Sequence, residues 1–205
     1  MAVVVLISGR GSNLQALLDA GVPVSAVISN VPGAAGLAIA SARGIATRTV
    51  PHRDFGSREA FDRALAQEID AFSPKLVALA GFMRVLTPVF VQRYAGRLLN
   101  IHPSLLPAFA GLNTHERALA DGVKLHGCTV HFVTADLDHG PIVIQAAIAL
   151  RRGDTAISLA ARVLAQEHIV YPRAVRWFLD GKLVIENGVV HVKDGDAQLL
   201  FSDRS

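Results

Sequence analysis

Near the middle of the chain, Asn100-Ile101-His102-Pro103-Ser104-Leu105-Leu106-Pro107 sets a neutral amide and an ionisable imidazole two residues apart, at the end of an apolar run (Leu98, Leu99, Ile101). In a β-strand, residues i and i+2 point to the same side, so Asn100 and His102 are spaced to face one reacting centre. A carboxylate such as Asp138 could hold that imidazole in its charged form. Amide, imidazole and carboxylate are the parts that stabilise an oxyanion and move a proton in acyl transfer. Each has a plainer alternative. His102 could be a buried histidine satisfied by backbone, Asn100 a structural amide, and Asp138 a turn aspartate capping N–H groups in Thr134-Ala135-Asp136-Leu137-Asp138-His139-Gly140-Pro141. Pro103 and Pro107 stiffen the loop after the strand, and together with the same-side spacing they favour a functional role for Asn100 and His102. Local sequence cannot pair Asp138 with His102.

A second group lies at the start of the chain. Ser8-Gly9-Arg10-Gly11-Ser12-Asn13 separates an apolar run from a helix-like stretch, the arrangement of a phosphate cradle. Glycines permit the tight turn, the helix start offers free N–H donors, and Ser12 and Asn13 add side-chain donors. The spacing is neither G-x-G-x-x-G nor a P-loop with its lysine, which disfavours dinucleotides and triphosphates. An ordinary strand–helix turn with Asn13 as N-cap is an equal alternative. Gly81-Phe82-Met83-Arg84-Val85-Leu86 is unusually apolar for a loop and could line a flat ring pocket, or simply pack the core. Arg58 could meet an anionic ligand tail or point to solvent, and Glu167 is an isolated helix carboxylate. No two of the eight histidines show H-x-x-x-H spacing, which argues against a metal.

These residues need a frame. Val3–Ser8, Val24–Ser29, Ile45–Val50, Leu76–Ala80 and Leu98–Ile101 are short aliphatic runs without polar alternation, so they read as strands buried on both faces. Helical patterns fall between them, at about 13–20, 34–43, 57–72 and 87–94. The second half changes character. Gly127–Thr134 and Pro141–Leu150 read as strands, Leu183–Ile185 and Val189–Val192 as a hairpin around Asn187-Gly188, and Thr155–Leu179 as a long helix that Pro172 breaks or kinks. Ser202–Ser205 reads as a frayed tail. The predicted class is α/β, a Rossmann-like open and mostly parallel sheet with helices on both faces and an antiparallel C-terminal addition. Ligands of such sheets gather at the carboxyl ends of the strands, which brings Gly9–Asn13, Gly81–Leu86 and Asn100–Ser104 around one crevice. No repeat, low-complexity linker or convincing domain boundary is visible.

The bulk numbers agree. The chain has 205 residues, 51% of them hydrophobic and 18% charged, enough for a sizeable core in one domain with at most a small appendage. No apolar run reaches membrane-spanning length. The first nine residues lack a basic start and lead into Gly9-Arg10-Gly11, so they read as a buried strand rather than a secretion signal. Cys128 stands alone, which excludes an intramolecular disulfide and a thiolate cluster and fits a cytoplasmic location. The net charge of +3 is dispersed and aromatics are only 6%, so nucleic acid is not an expected partner.

Leu6-Ile7-Ser8-Gly9-x-Gly11-Ser12-Asn13-Leu14-Gln15, Leu79-Ala80-Gly81-Phe82-Met83-Arg84, Leu99-Asn100-Ile101-His102-Pro103-Ser104-Leu105-Leu106-Pro107 and Gly127–Gly140 occur in an order and spacing that closely resemble the folate-dependent phosphoribosylglycinamide formyltransferases. The resemblance runs from about residue 2 to 185 and implies a formyltransferase catalytic domain over 1–185, with a hairpin and tail over 186–205. It also implies the formyltransferase fold and transfer of a formyl group from 10-formyltetrahydrofolate, the co-substrate, to the amine of glycinamide ribonucleotide in purine biosynthesis, without a metal and by a monomer or homodimer. On that resemblance Asn100, His102 and Asp138 are the catalytic trio, and Gly11, Ser12 and Asn13 bind the substrate phosphate. Met83, Arg84, Val85 and Leu86 flank the pteridine with Asn100, Arg58 approaches the folate tail, and Glu167 lies near the glycinamide end of the ribotide. Asn113 stands where some members have histidine, and Ala135 where the motif tends to be acidic. Methionyl-tRNA formyltransferases share the Asn-x-His core but carry an added RNA-binding domain for which the length leaves no room. Formyltetrahydrofolate deformylases carry an extra N-terminal domain, whereas the first strand here begins at residue 2. A catalytically silent folate- or nucleotide-binding module is disfavoured by the intact trio.

Overall fold

Val3–Ile7 (β1) is five consecutive aliphatic residues, every one of them fully buried. Such a strand fits only the interior of a sheet covered on both faces, and each fully buried side chain of this kind contributes about 1.5–3 kcal/mol. The computed structural model describes residues 2–202, which fall into two units divided between Asn100 and Ile101. The boundary coincides with the change of character seen in the sequence, although no composition break marks it.

In the first unit β1 is flanked by β2 (Val24–Ser29) and β4 (Leu76–Leu79), with β3 (Ala46–Thr49) beyond β2 and β5 (Leu98–His102) beyond β4, all parallel. Between the strands run α1 (Ser12–Asp19), α2 (Ala35–Ser41), α3 (Arg58–Asp70) and α4 (Pro88–Arg93). The helix starts follow local chemistry. Ser57 caps α3 by accepting the Ala60 N–H, and Thr87 caps α4, with Pro88 supplying a preset φ at the first position. At α1 the cap is Gly11, whose φ is 79°, and not Asn13, which lies inside the first turn. Only a glycine suits this place: a Cβ on Gly11 would lie 2.6 Å from the Gly36 Cα.

The second unit holds α5 (Thr114–Ala120), the antiparallel pair β6 (Leu125–Phe132) and β7 (Ile142–Ala149), α6 (Ala156–Leu179), the hairpin β8 (Leu183–Glu186) and β9 (Val189–Val192), and β10 (Leu199–Ser202), which pairs in parallel with β7. α5 and β10 were not expected from the sequence. Gln198 ties the hairpin to β7, its Nε2 donating to the Val143 and Val190 carbonyls. α6 is one continuous helix through Pro172, so of the break or kink expected there the break does not occur. It opens with a Thr155/Ser158 capping box, and Leu159, Val163, Val170, Tyr171, Ala174 and Val175 bury a continuous stripe, so packing outweighs the one backbone bond that Pro172 forfeits. Asp203, Arg204 and Ser205, from the stretch expected to fray and the end of segment 186–205, lie outside the described residues; Ser202 ends β10. The class is the one expected, an open, mostly parallel α/β sheet with an antiparallel C-terminal addition.

Two features of the second unit have measurable consequences. Gly140 closes the turn between β6 and β7, and a Cβ there would sit 1.7 Å from the Phe132 carbonyl oxygen. Gly140→Ala should cost roughly 1–3 kcal/mol or more in urea unfolding. Gly56→Ala, where a Cβ meets nothing within 4 Å, should be nearly neutral. Equal midpoints for the two variants would contradict the close approach. Buried histidines set the second consequence. His126 is fully buried, and burial lowers its pKa from 6.5 to about 4, with the neighbouring His115 and His102 adding to the effect; burial lowers His115 and His131 as well. The unfolded chain therefore binds protons at a pH where the native state does not. This stability is complete above about pH 6.5 and is lost as pH falls toward 4. The urea midpoint should drop between pH 7 and pH 5, and His126→Gln should flatten that slope. A midpoint that rises on acidification would contradict it.

Candidate active site

In the second unit the polar residues after β5 are fixed by β6 and β7. Thr129 Oγ1 donates to the Ser104 carbonyl at 2.7 Å and accepts the Leu106 N–H at 3.0 Å, while Gln145 Nε2 donates to the Leu106 carbonyl at 3.0 Å. The Thr114 hydroxyl donates to the Pro103 carbonyl at 2.7 Å. The loop Pro103–Pro107 is thus held by buried hydrogen bonds as well as by its prolines, and His102 stands at its root.

His102 is buried, and both ring nitrogens face acceptors. Nε2 lies 3.1 Å from the Phe109 carbonyl, which can only accept, so this nitrogen carries a proton. Nδ1 lies 3.5 Å from Asp138 Oδ2. The structure therefore brings together the two residues that local sequence could not pair. The Asp138 side chain is only 9% exposed, and its backbone is left-handed at φ 54°, a conformation that aspartate tolerates better than most residues. Its Oδ2 accepts the Gly111 N–H at 2.9 Å, and its Oδ1 lies 3.9 Å from His131 Nε2. His131 Nδ1 donates to the Phe132 carbonyl, and burial disfavours the charged form of this ring. A neutral His131 then directs a lone pair toward Asp138, and His102 is the ring that approaches the carboxylate more closely.

Sequence reasoning missed three of these contacts. His131 was assigned only to the sheet, and nothing local marks the Phe109 carbonyl or the Gly111 amide. Glu167 is buried on α6, in the same unit, and its charge helps push the Cys128 thiol upward behind the larger effect of burial. Asn113 is the left-handed N-cap residue of α5, at φ 55°. His139 is exposed and bonds the Leu137 carbonyl, and Asp136 accepts from Thr134 through its carbonyl, as a turn residue would. Among the described residues, no group of three or more His, Cys, Asp or Glu could hold a metal ion, and no helix is long and apolar enough to cross a membrane.

In the first unit, Asn100 is on β5, two residues before His102. Gly9–Asn13 joins β1 to α1, and the Gly9 carbonyl accepts the Gly36 N–H at 3.0 Å, so α2 anchors this loop. Ser12 is the first residue of α1, and Asn13, in its first turn, is buried. The loop after β4 splits its apolar side chains: Phe82 is buried, whereas Met83 is 64% and Val85 55% exposed. Arg84 is half-buried, and its Nε is enclosed without a hydrogen-bond partner among the described residues. Core packing accounts for Phe82 and in part for the half-buried Leu86, leaving Met83 and Val85 available to a flat apolar ligand. Arg58 is exposed at the first position of α3.

Known proteins carry the same sequence pattern and fold. The formyl transferase family model matches residues 1–175. The phosphoribosylglycinamide formyltransferase of Escherichia coli is 53% identical over 189 residues, covering 89% of each chain. The human trifunctional purine biosynthetic protein adenosine-3 is 47% identical over 195 residues, which are 92% of this chain and 19% of that longer one. The solved phosphoribosylglycinamide formyltransferase of Coxiella burnetii superposes with a TM-score of 0.92 at 46% identity, covering 98% of this chain and 99% of its own. With the buried His102–Asp138 approach and the strand-end loops in place, the chain belongs to the phosphoribosylglycinamide formyltransferase family.

Proposed function

We propose that the protein transfers the formyl group of 10-formyltetrahydrofolate to the amine of 5'-phosphoribosylglycinamide, a step of purine biosynthesis. The observation that carries the reading is the 3.5 Å approach of the shielded Asp138 carboxylate to His102. The neutral amine attacks the formyl carbon, and the carbonyl electron pair moves onto oxygen. Asn100 and the His102 imidazolium donate to that oxyanion, while Asp138 balances the imidazolium charge. The formyl oxygen takes the place of the Phe109 carbonyl as acceptor at His102 Nε2. One proton leaves the amine with Asp138 assisting, N10 of the folate gains a proton, and the C–N10 bond breaks as the oxyanion collapses.

The binding roles rest on exposure and local geometry. Gly11, Ser12 and Asn13 take the ribotide phosphate, where a loop anchored by Gly36 presents the start of α1. Met83, Arg84, Val85 and Leu86 hold the pteridine, and the exposure of Met83 and Val85 supports this role. Asn100 also contacts the folate, exposed Arg58 meets its anionic tail, and Glu167 serves the glycinamide end of the ribotide.

A test of the reaction mixes the protein with 10-formyltetrahydrofolate, with and without the ribotide, and follows tetrahydrofolate release. Ribotide-dependent release supports the transferase. Equal release without ribotide would indicate a hydrolase, and binding without turnover a silent module. Within the same assay, His102→Ala and Asp138→Asn should each lower kcat by about 10²–10³-fold, while ribotide affinity stays close to that of the parent protein. Near-normal turnover in either variant would remove that residue from the mechanism.

A further inference from the structure

We propose that Ser8, oriented by Asn30, is a positioning residue that holds the loop after β4 in its folate-receiving shape. Ser8 immediately follows β1, and its side chain and backbone both reach that loop. Its N–H donates to the Gly81 carbonyl at 3.2 Å, and its hydroxyl oxygen accepts the Met83 N–H at 2.7 Å. A hydroxyl oxygen that accepts still has one proton to give, and Ser8 gives it to Asn30 Oδ1 at 2.6 Å. Asn30, just beyond β2, is buried and is itself fixed from the far side. Its Nδ2 lies 3.1 Å from His52 Nδ1, and that ring nitrogen lies 3.0 Å from the Asn30 carbonyl.

The relay therefore runs from the Met83 amide through the Ser8 hydroxyl to the Asn30 amide and the His52 ring. From Met83 to Asn30 the direction is set by the donor and acceptor capacity of each group, and at His52 it follows the ring's tautomer. Phe82 packs into the core, but Met83 and Val85 are exposed, so side-chain packing does little to fix the backbone at Met83 itself. The two bonds from Ser8 tie the loop backbone to the end of β1. The hydroxyl bond falls at Met83, where the proposed pteridine-binding run begins. An Ala in place of Ser8 keeps the backbone bond to Gly81 and loses both hydroxyl bonds, the one from Met83 and the one to Asn30. The Gly9–Asn13 loop keeps its separate anchor on Gly36.

The inference rests on the assignment of residues 83–86 to the folate, so the experiment carries a direct probe of that assignment. Steady-state kinetics are measured for both substrates in Ser8→Ala, Ser8→Thr, Val85→Glu and Ser25→Ala. The last removes a hydroxyl that bonds the Val3 carbonyl in the same sheet, away from the loop. The hydroxyl bond that reaches the loop is the one to Met83, and its loss predicts a rise of about fivefold to tenfold in the KM for 10-formyltetrahydrofolate in Ser8→Ala. The KM for the ribotide should stay within about twofold, Ser8→Thr should recover most of the loss, and Ser25→Ala should match the parent protein. An unchanged folate KM in Ser8→Ala beside a raised one in Val85→Glu overturns the role of Ser8 and leaves the folate assignment standing. Unchanged folate KM in both overturns the assignment itself. Equal rises for both substrates would also overturn the proposal, because they mark a general loss of structure. Should Ser8→Ala fail to fold, Asn30→Ala removes the acceptor that orients the hydroxyl, and the same KM split decides the matter.

Discussion

A carboxylate withdrawn from water beside an imidazole is expensive to leave unpaired, and the second unit is arranged around that cost. Asp138 has little exposure of its own. It is compensated on one oxygen by the Gly111 amide and by His102, and on the other side it faces a histidine whose burial disfavours charge. Each of these partners comes from a different segment, so the carboxylate is correctly placed only when the loop after β5, the 109–111 segment and the β6–β7 turn all have their native form. The turn depends on Gly140, because any larger residue would strike the Phe132 carbonyl. The loop after β5 depends on Thr129 and Gln145, two polar side chains paired across β6 and β7.

The first unit solves a different problem. Its central strands β1 and β4 are wholly aliphatic, so polar side chains gather at strand ends and in the residues that follow them. Ser8 follows β1, Asn30 follows β2, and the Gly81–Leu86 segment follows β4. Polar groups there join into one hydrogen-bonded relay, and the loop toward α1 is held by backbone contact with Gly36 instead of by a side-chain cap. The interior of the unit is apolar, and its polar groups lie beyond the carboxyl ends of the strands, where ligands of parallel α/β sheets gather.

Much of this was legible from local pattern. Uninterrupted aliphatic runs predicted buried parallel strands because such runs are stable nowhere else in a soluble domain, and the i, i+2 spacing of Asn100 and His102 follows from the pleat of β5. Contacts between distant segments were not legible. The approach of Asp138 to His102, the Phe109 carbonyl at Nε2 and the neutral His131 behind the carboxylate all depend on tertiary placement, which no single window encodes. Short elements also escaped. β10 has four residues beyond a polar, Gly-containing stretch, and α5 has seven, too few to establish a period. Pro172 does not break α6 because the buried stripe outweighs local propensity, and Asn13 does not cap α1 because Gly11 takes the left-handed cap position.

The central claim is that His102 and Asp138 work as one unit. A double-mutant cycle on kcat, comparing His102→Ala, Asp138→Asn and the double variant in the ribotide-dependent assay, tests this most directly. If Asp138 acts through His102, the double variant loses about as much rate as His102→Ala alone. If the two losses multiply, the residues contribute independently, and the 3.5 Å approach between them is not the basis of the activity.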